Sequence, residues 1–206
     1  MKCPLCNSNS KLILKPTHYR CNSCLAYFKD PKLYLQGKDE KDIYDQHKNN
    51  SDDIRYQDFL SPITNAVLKE IPKNSIGLDF GCGKDSAIMK VLNNNNYKCL
   101  GYDIFYKNNK ELLAQKYDYI TSSEVIEHFY NPKKEFELLK SLLKPNGVLY
   151  LMTDIFDEQT KKFSSWYYKN DPTHVFMYQK QTFEIIKELY GFNKVQTNNR
   201  LIKLYL

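Results

Sequence analysis

Ile76-Gly77-Leu78-Asp79-Phe80-Gly81-Cys82-Gly83 decides the architecture of this chain. A short, mostly apolar run with strand character enters a Gly-x-Gly turn, and helical spacing begins at Ser86 and continues to Leu92, so a strand passes directly into a helix. Glycines at such a junction let the backbone come close to a ligand, and the first turn of the helix offers unpaired N–H groups. The next strand, residues 98–103, ends in Asp103, where a carboxylate is placed to accept from ribose hydroxyls. A Gly-x-Gly alone is a weak signal. With the strand before it, the helix after it and the acid downstream, it reads as a nucleotide-cofactor site.

The same alternation continues outward. Ile63, Val67, Leu68 and Ile71 recur at helical spacing from residue 61 until Pro72. Strands are expected at 117–121 and 147–153, helices at 132–143 and 182–190, and two closing strands at 193–197 and 201–206. Alternating strands and helices predict an α/β, Rossmann-like, mostly parallel sheet covered by helices on both faces.

From about residue 60 to 206 the chain resembles the class I S-adenosylmethionine-dependent methyltransferases, through Asp79, Gly81, Gly83 and Asp103. The resemblance implies a seven-stranded type of sheet and S-adenosylmethionine as cofactor. It implies that Asp79, Gly81 and Gly83 contact the methionine part, that Asp103 holds the ribose, and that Ser122 joins the cofactor-binding set. Where the family often has a third glycine this chain has Asp85, expected to cap the helix starting at Ser86. A dehydrogenase would prefer Gly-x-Gly-x-x-Gly, and position 86 is serine.

After the third strand comes Ser122-Ser123-Glu124-Val125-Ile126-Glu127-His128-Phe129. If this segment coils, Glu124, Glu127 and His128 stand on one face at the carboxyl edge of the sheet, where open α/β folds bind ligands. Two carboxylates and an imidazole suit Mg²⁺, Mn²⁺, Fe²⁺ or Zn²⁺. His174, in Asp171-Pro172-Thr173-His174-Val175-Phe176, is a fourth candidate. The Glu-x-x-Glu-His element is similar to that of the ubiquinone-type O-methyltransferases and of the small-RNA 3′-terminal 2′-O-methyltransferases. The second likeness implies that Glu124, Glu127, His128 and His174 hold a divalent ion, Mg²⁺ or Mn²⁺, that activates a hydroxyl. The same element also occurs in metal-free pockets, with His128 or His174 as general base, and both readings stay open here. Trp166, Tyr167 and Tyr168 form either packing or an aromatic wall for a planar substrate.

Four of six cysteines fall as Cys3-x2-Cys6 and Cys21-x2-Cys24. In a reducing compartment such paired knuckles read as a closed, structural tetrahedral zinc site, with a short hairpin between them and His18 as a hairpin residue. The expected organisation is a zinc-ribbon-like module at 1–36, a polar connector with short helices at 37–60, and the methyltransferase domain at 61–206. The whole layout resembles a bacterial group of methyltransferase-domain proteins. The Cys-Pro-Leu-Cys knuckle before such a core also resembles certain rRNA guanine methyltransferases in architecture.

Across 206 residues, 42% hydrophobic and 26% charged, the composition excludes a disordered chain. No apolar run approaches the ~20 residues of a membrane-spanning helix, and the N-terminus lacks the apolar core of a signal peptide, so no membrane insertion and a cytoplasmic location are expected. The net charge of +6 is carried almost wholly by lysine, with arginine only at 20, 55 and 200. It permits a nucleic-acid partner without requiring one. The expected activity is O-methyl transfer to a small molecule or a nucleic-acid hydroxyl. The alternatives are an RNA base methyltransferase, or a zinc-ribbon interaction protein whose methyltransferase fold is inactive; the intact Asp79, Gly81, Gly83 and Asp103 argue against the latter.

Overall fold

A computed structural model of the chain describes residues 1–46 and 49–206. In chain order the strands are β1 (Ser10–Leu14), β2 (His18–Cys21), β3 (Tyr27–Lys29), β4 (Ile76–Phe80), β5 (Lys98–Tyr102), β6 (Tyr117–Ser123), β7 (Leu143–Met152), β8 (Phe176–Met177), β9 (Lys194–Asn198) and β10 (Leu201–Tyr205). The α-helices are α1 (Lys38–Tyr44), α2 (Ile54–Glu70), α3 (Ala87–Asn94), α4 (Pro132–Ser141) and α5 (Lys180–Tyr190).

The main sheet runs β5-β4-β6-β7-β10-β9, parallel from β5 to β7 and antiparallel through β10 and β9. Strand alternation sorts side chains to its two faces. Tyr119, Tyr150 and Met152 meet Leu60, Ile63 and Val67 of α2 and Ala87, Ile88 and Leu92 of α3. Ile120, Leu149 and Leu151 meet Phe136 and Leu139 of α4 and Phe183 and Ile186 of α5. Among the described residues six strands fill this sheet, one fewer than the seven-stranded type. After β5 the polar run Lys107-Asn108-Asn109 leads into a 3-10 helix at Lys110–Ala114, capped by the Asn109 side chain and burying none of its residues, so no outer strand forms there.

Two local expectations change. Asp53 caps α2 by accepting from the Arg55 N–H, so the helix starts well before residue 61 and takes part of the connector with it. Pro62 lies inside that helix, tolerated because Leu60, Ile63, Ala66 and Val67 bury the face around it. The cap of α3 is Ser86, whose Oγ accepts from Met89 N–H at 3.0 Å. Asp85 instead accepts from the Ser51 N–H at 2.8 Å, tying the connector to the glycine turn.

The cysteine module is built into the main domain. β1, β2 and β3 form an antiparallel sheet that β8 completes, with Tyr27 opposite Met177 and Phe28 opposite Phe176. Cys3, Leu5, Cys21, Cys24, Ala26 and Phe28 share one buried cluster with α4 and α5. Gln179 Nε2 donates to Leu25 O at 2.6 Å and Thr182 Oγ1 to Cys24 O at 2.9 Å. No helix among the described residues is long and apolar enough to cross a membrane.

Candidate active site

The glycine turn leaves β4 at its carboxyl end. Gly81 has φ +78°, and a Cβ there would stand 2.4 Å from Val125 Cγ2, so both backbone sterics and packing demand glycine. Gly83, at φ +62°, faces open space instead, as a ligand-approach position requires. Asp103 braces this turn. Its Oδ2 accepts from the Gly83 N–H at 2.9 Å, and its Oδ1 accepts from Phe105 and Tyr106 N–H groups at 2.8 and 3.1 Å. Asp79 is buried, accepting from Ser86 Oγ at 2.6 Å and from Thr121 Oγ1 at 2.8 Å. Burial pushes its carboxyl up to about 6, against the pull of those two hydroxyls.

A small cleft beside this turn is lined by Tyr56, Leu60, Asp79, Gly81, Ser86 and Ser123 among others. Ser123 Oγ, like that of Ser122, is buried with no hydrogen-bond partner among the described residues, and Ser123 lines the cleft, where a polar cofactor group would satisfy its hydroxyl. The open face of Gly83, the acid beside it and this orphaned hydroxyl fit S-adenosylmethionine. Ser122, expected in the cofactor set, is fully buried. In an extended strand it points to the opposite face from Thr121 and Ser123, so Ser123 lines the cleft and Ser122 does not. The period of two along β6, counted from a residue opposite Asp79, is the signal that would have selected Ser123.

Further along the same edge, Glu127, His128 and His174 bring one ligand atom each within 4.8 Å of one another. Glu124 is not part of this group. Its backbone is left-handed at φ +53°, and only Ile126–His128 coils, as a 3-10 turn, so the expected single face does not form. Glu124 Oε2 instead accepts from Arg200 Nη2 at 2.5 Å and lies 3.2 Å from the Tyr168 oxygen, while Oε1 is buried with no hydrogen-bond partner among the described residues. Glu127 is wholly buried, accepting from Thr153 Oγ1 at 3.0 Å and from the Tyr168 hydroxyl.

Both imidazoles are oriented by backbone carbonyls. His128 Nδ1 meets Thr173 O at 3.1 Å and His174 Nδ1 meets Tyr168 O at 2.7 Å. A carbonyl only accepts, so each Nδ1 carries a proton and each Nε2 is the ring atom left to face the site. Burial pushes the Glu127 carboxyl up, and burial with the nearby Glu127 raises Glu124 to about 7; burial holds His174 below its ordinary value. Two buried carboxyls beside an imidazole whose charging burial disfavours form a centre that gains from a cation. Ligands at 2.0–2.1 Å around an octahedral ion stand about 3–4 Å apart, so the donors need only a small closure to fit one.

Several residues of this centre escape sequence reasoning. Tyr168 and Thr153 hold Glu127, and Arg200, from the turn between β9 and β10, holds Glu124. Trp166 and the ring of Tyr168 pack in a cluster with Tyr27, Phe156 and Phe163, while the Tyr168 hydroxyl reaches Glu127 and Tyr167 stays exposed. The connector covers the edge. Tyr44 sets its ring 5.3 Å from His128 and 5.7 Å from Phe105, and Asp45 bonds Tyr106 OH at 2.8 Å and Lys84 Nζ at 2.7 Å.

The four N-terminal cysteines also converge, their sulfurs all within 4.8 Å. Cys3 and Cys24 lie 3.7 Å apart and Cys6 and Cys21 3.5 Å, close to the ~3.8 Å edge of a tetrahedron with 2.3 Å zinc–sulfur bonds. His18 lies in β2 outside this group, its ring edge-on to Phe163.

A family model described as a methyltransferase domain matches residues 53–197. The ubiquinone biosynthesis O-methyltransferase of Histophilus somni is 32% identical over 71 residues, 34% of this chain and 28% of that protein. The tRNA (carboxymethyluridine(34)-5-O)-methyltransferase of Schizosaccharomyces pombe is 27% identical over 119 residues, half of each chain. The chain thus spans half the length or less of these curated relatives. The structure of human N-acetylserotonin methyltransferase in complex with SAM superposes with a TM-score of 0.56 at 15% identity, over 72% of this chain and 53% of that one, a likeness of fold.

Proposed function

The chain belongs to the methyltransferase domain family, and we propose that it moves the methyl group of S-adenosylmethionine to a hydroxyl oxygen of a small molecule or of RNA, assisted by Mg²⁺ or Mn²⁺. The observation that carries this reading is the meeting of Glu127, His128 and His174 on the same sheet edge as the Gly81–Gly83 turn. The two relatives compared above are both named for methylation at oxygen, which agrees with it.

Glu127, His128 and His174 would hold the ion, with Arg200 keeping Glu124 in place beside them. Bound there, a divalent ion lowers the pKa of a hydroxyl it touches, so that oxygen becomes nucleophilic near neutral pH. The protein's own part is positional. Asp79, Gly83 and Asp103 fix the cofactor, and the carbonyls of Thr173 and Tyr168 aim the two imidazoles. Holding donor and acceptor in line supplies much of the rate in such a transfer. The four cysteines, in the same proposal, hold a structural zinc.

Isotopically labelled cofactor, offered with total RNA and with hydroxyl-bearing metabolite fractions, tests the reading. Label transfer should stop on brief chelation and return with Mn²⁺ or Mg²⁺, and Glu127→Gln should abolish it while cofactor still binds. Zinc content measured after chelation keeps the two metals apart. Turnover that resists chelation would overturn metal assistance and leave an imidazole as general base.

A further inference from the structure

Lys29, the last residue of β3, belongs to the cysteine module but is buried against the main domain, with 8% of its surface exposed. Its Nζ donates to Pro172 O at 2.8 Å and to Asp171 O at 3.3 Å, and its backbone N–H donates to Val175 O at 2.9 Å. The two ends of this one residue therefore bracket residues 171–175.

That segment reaches every member of the three-donor centre. Thr173 O accepts from His128 Nδ1, His174 is itself a donor group, and the Val175 N–H donates to Glu127 O at 2.9 Å. Inside it, Asp171 Oδ1 accepts from both the N–H and the hydroxyl of Thr173, at 2.8 and 2.5 Å. Those bonds shape the turn, and Lys29 fastens the turn to β3. A buried ammonium is costly unless its protons are used, and an apolar side chain would fill a buried strand position more cheaply.

We propose that Lys29 is a positioning residue for the Glu127–His128–His174 centre, through which the cysteine module sets the orientation of both imidazoles. This rests on the function proposed above for that centre. It assigns the module a structural part in the reaction site, since the contacts run from its strand to the site's own backbone.

Lys29→Met keeps the stem and removes the donors; Lys29→Arg keeps donors. Three measurements on the full-length, zinc-loaded protein decide: S-adenosylmethionine affinity by calorimetry, Mn²⁺ affinity by electron paramagnetic resonance, and the hydrogen-bonded Nδ1–H signals of His128 and His174 by ¹⁵N NMR. Lys29→Met should weaken Mn²⁺ binding ~10-fold or more, as loss of an orienting outer partner does. It should also shift or broaden both Nδ1–H signals, with cofactor affinity unchanged, and Lys29→Arg should restore the signals at least in part. Unchanged Mn²⁺ affinity and unchanged signals overturn the proposal, as does a parallel loss of cofactor affinity, which would mark general destabilisation. If Lys29→Met does not fold, Lys29→Gln, too short to reach both carbonyls, takes the same measurements. If the wild-type protein binds no Mn²⁺, the metal reading falls by itself, and the histidine signals alone decide for or against Lys29.

Discussion

Replacing Asp103 by Asn should loosen both the glycine turn and the cofactor. The carboxylate accepts three backbone N–H groups, Gly83 on one oxygen and Phe105 and Tyr106 on the other. An asparagine has one acceptor oxygen. It can serve Gly83, or the other two, and its NH₂ then confronts an N–H donor on the opposite side. At least one charge-assisted bond is lost and one largely buried donor is left unsatisfied, each worth roughly 1–3 kcal/mol. Urea unfolding of the cofactor-free protein should therefore show a loss of about 2–4 kcal/mol. Because the glycine turn moves and, in the proposed site, the charge that would accept from the ribose disappears, the dissociation constant should rise about 10- to 100-fold, or ~1.4–2.8 kcal/mol. An unchanged urea midpoint together with an unchanged dissociation constant refutes the reasoning. A stability loss at constant affinity would confine Asp103 to bracing the turn.

Three further outcomes are expected. Gly81→Ala places a Cβ 2.4 Å from Val125 Cγ2 at a φ of +78°, so it should destabilise the fold by ~2–4 kcal/mol from overpacking and left-handed strain; a wild-type melting curve would contradict this. Asp79 is held at about 6, so its proton is bound more tightly in the folded chain than in the unfolded one. Its contribution to stability is complete below the ordinary carboxylate value near ~4 and is lost as pH rises through about 6, while a cationic cofactor prefers the ionised form. Cofactor affinity should accordingly rise from pH 5 to pH 7 with proton release below 6, and a flat calorimetric profile over that range would count against it. The purified protein should carry one zinc per chain, and Cys21→Ser should lower both zinc content and melting temperature; a zinc-free protein from zinc-replete medium would remove the cysteine site.

What the residues declared by themselves is what short-range spacing encodes. A strand running into Gly-x-Gly, a helix at 3.6-residue periodicity and an acid ending the next strand are local patterns, so Asp79, Gly81, Gly83 and Asp103 fall where expected around one turn. Cys3, Cys6, Cys21 and Cys24 were legible for the same reason, because two tight knuckles joined by a hairpin meet with little freedom. The outer strand of the seven-stranded type was a family expectation, and the polar run after β5 shows why it does not form.

The rest depended on register and on contacts between distant parts of the chain. Whether Ser122 or Ser123 faces the cleft changes with a single step along β6, and only its pairing with β4 settles that step. Glu124 leaves the expected face because its backbone turns left-handed, and Arg200, 76 positions away, claims its carboxylate. Lys29 reaches Asp171 and Pro172 across 142 and 143 positions, a contact that no periodicity announces. Sequence alone therefore located the Gly81–Gly83 turn and the cysteine cluster, whose determinants are near neighbours. Tertiary structure decided which side chains surround the Glu127–His128–His174 cluster, because burial and hydrogen bonding there join segments that become neighbours only when β3 pairs with β8 and β10 with β7.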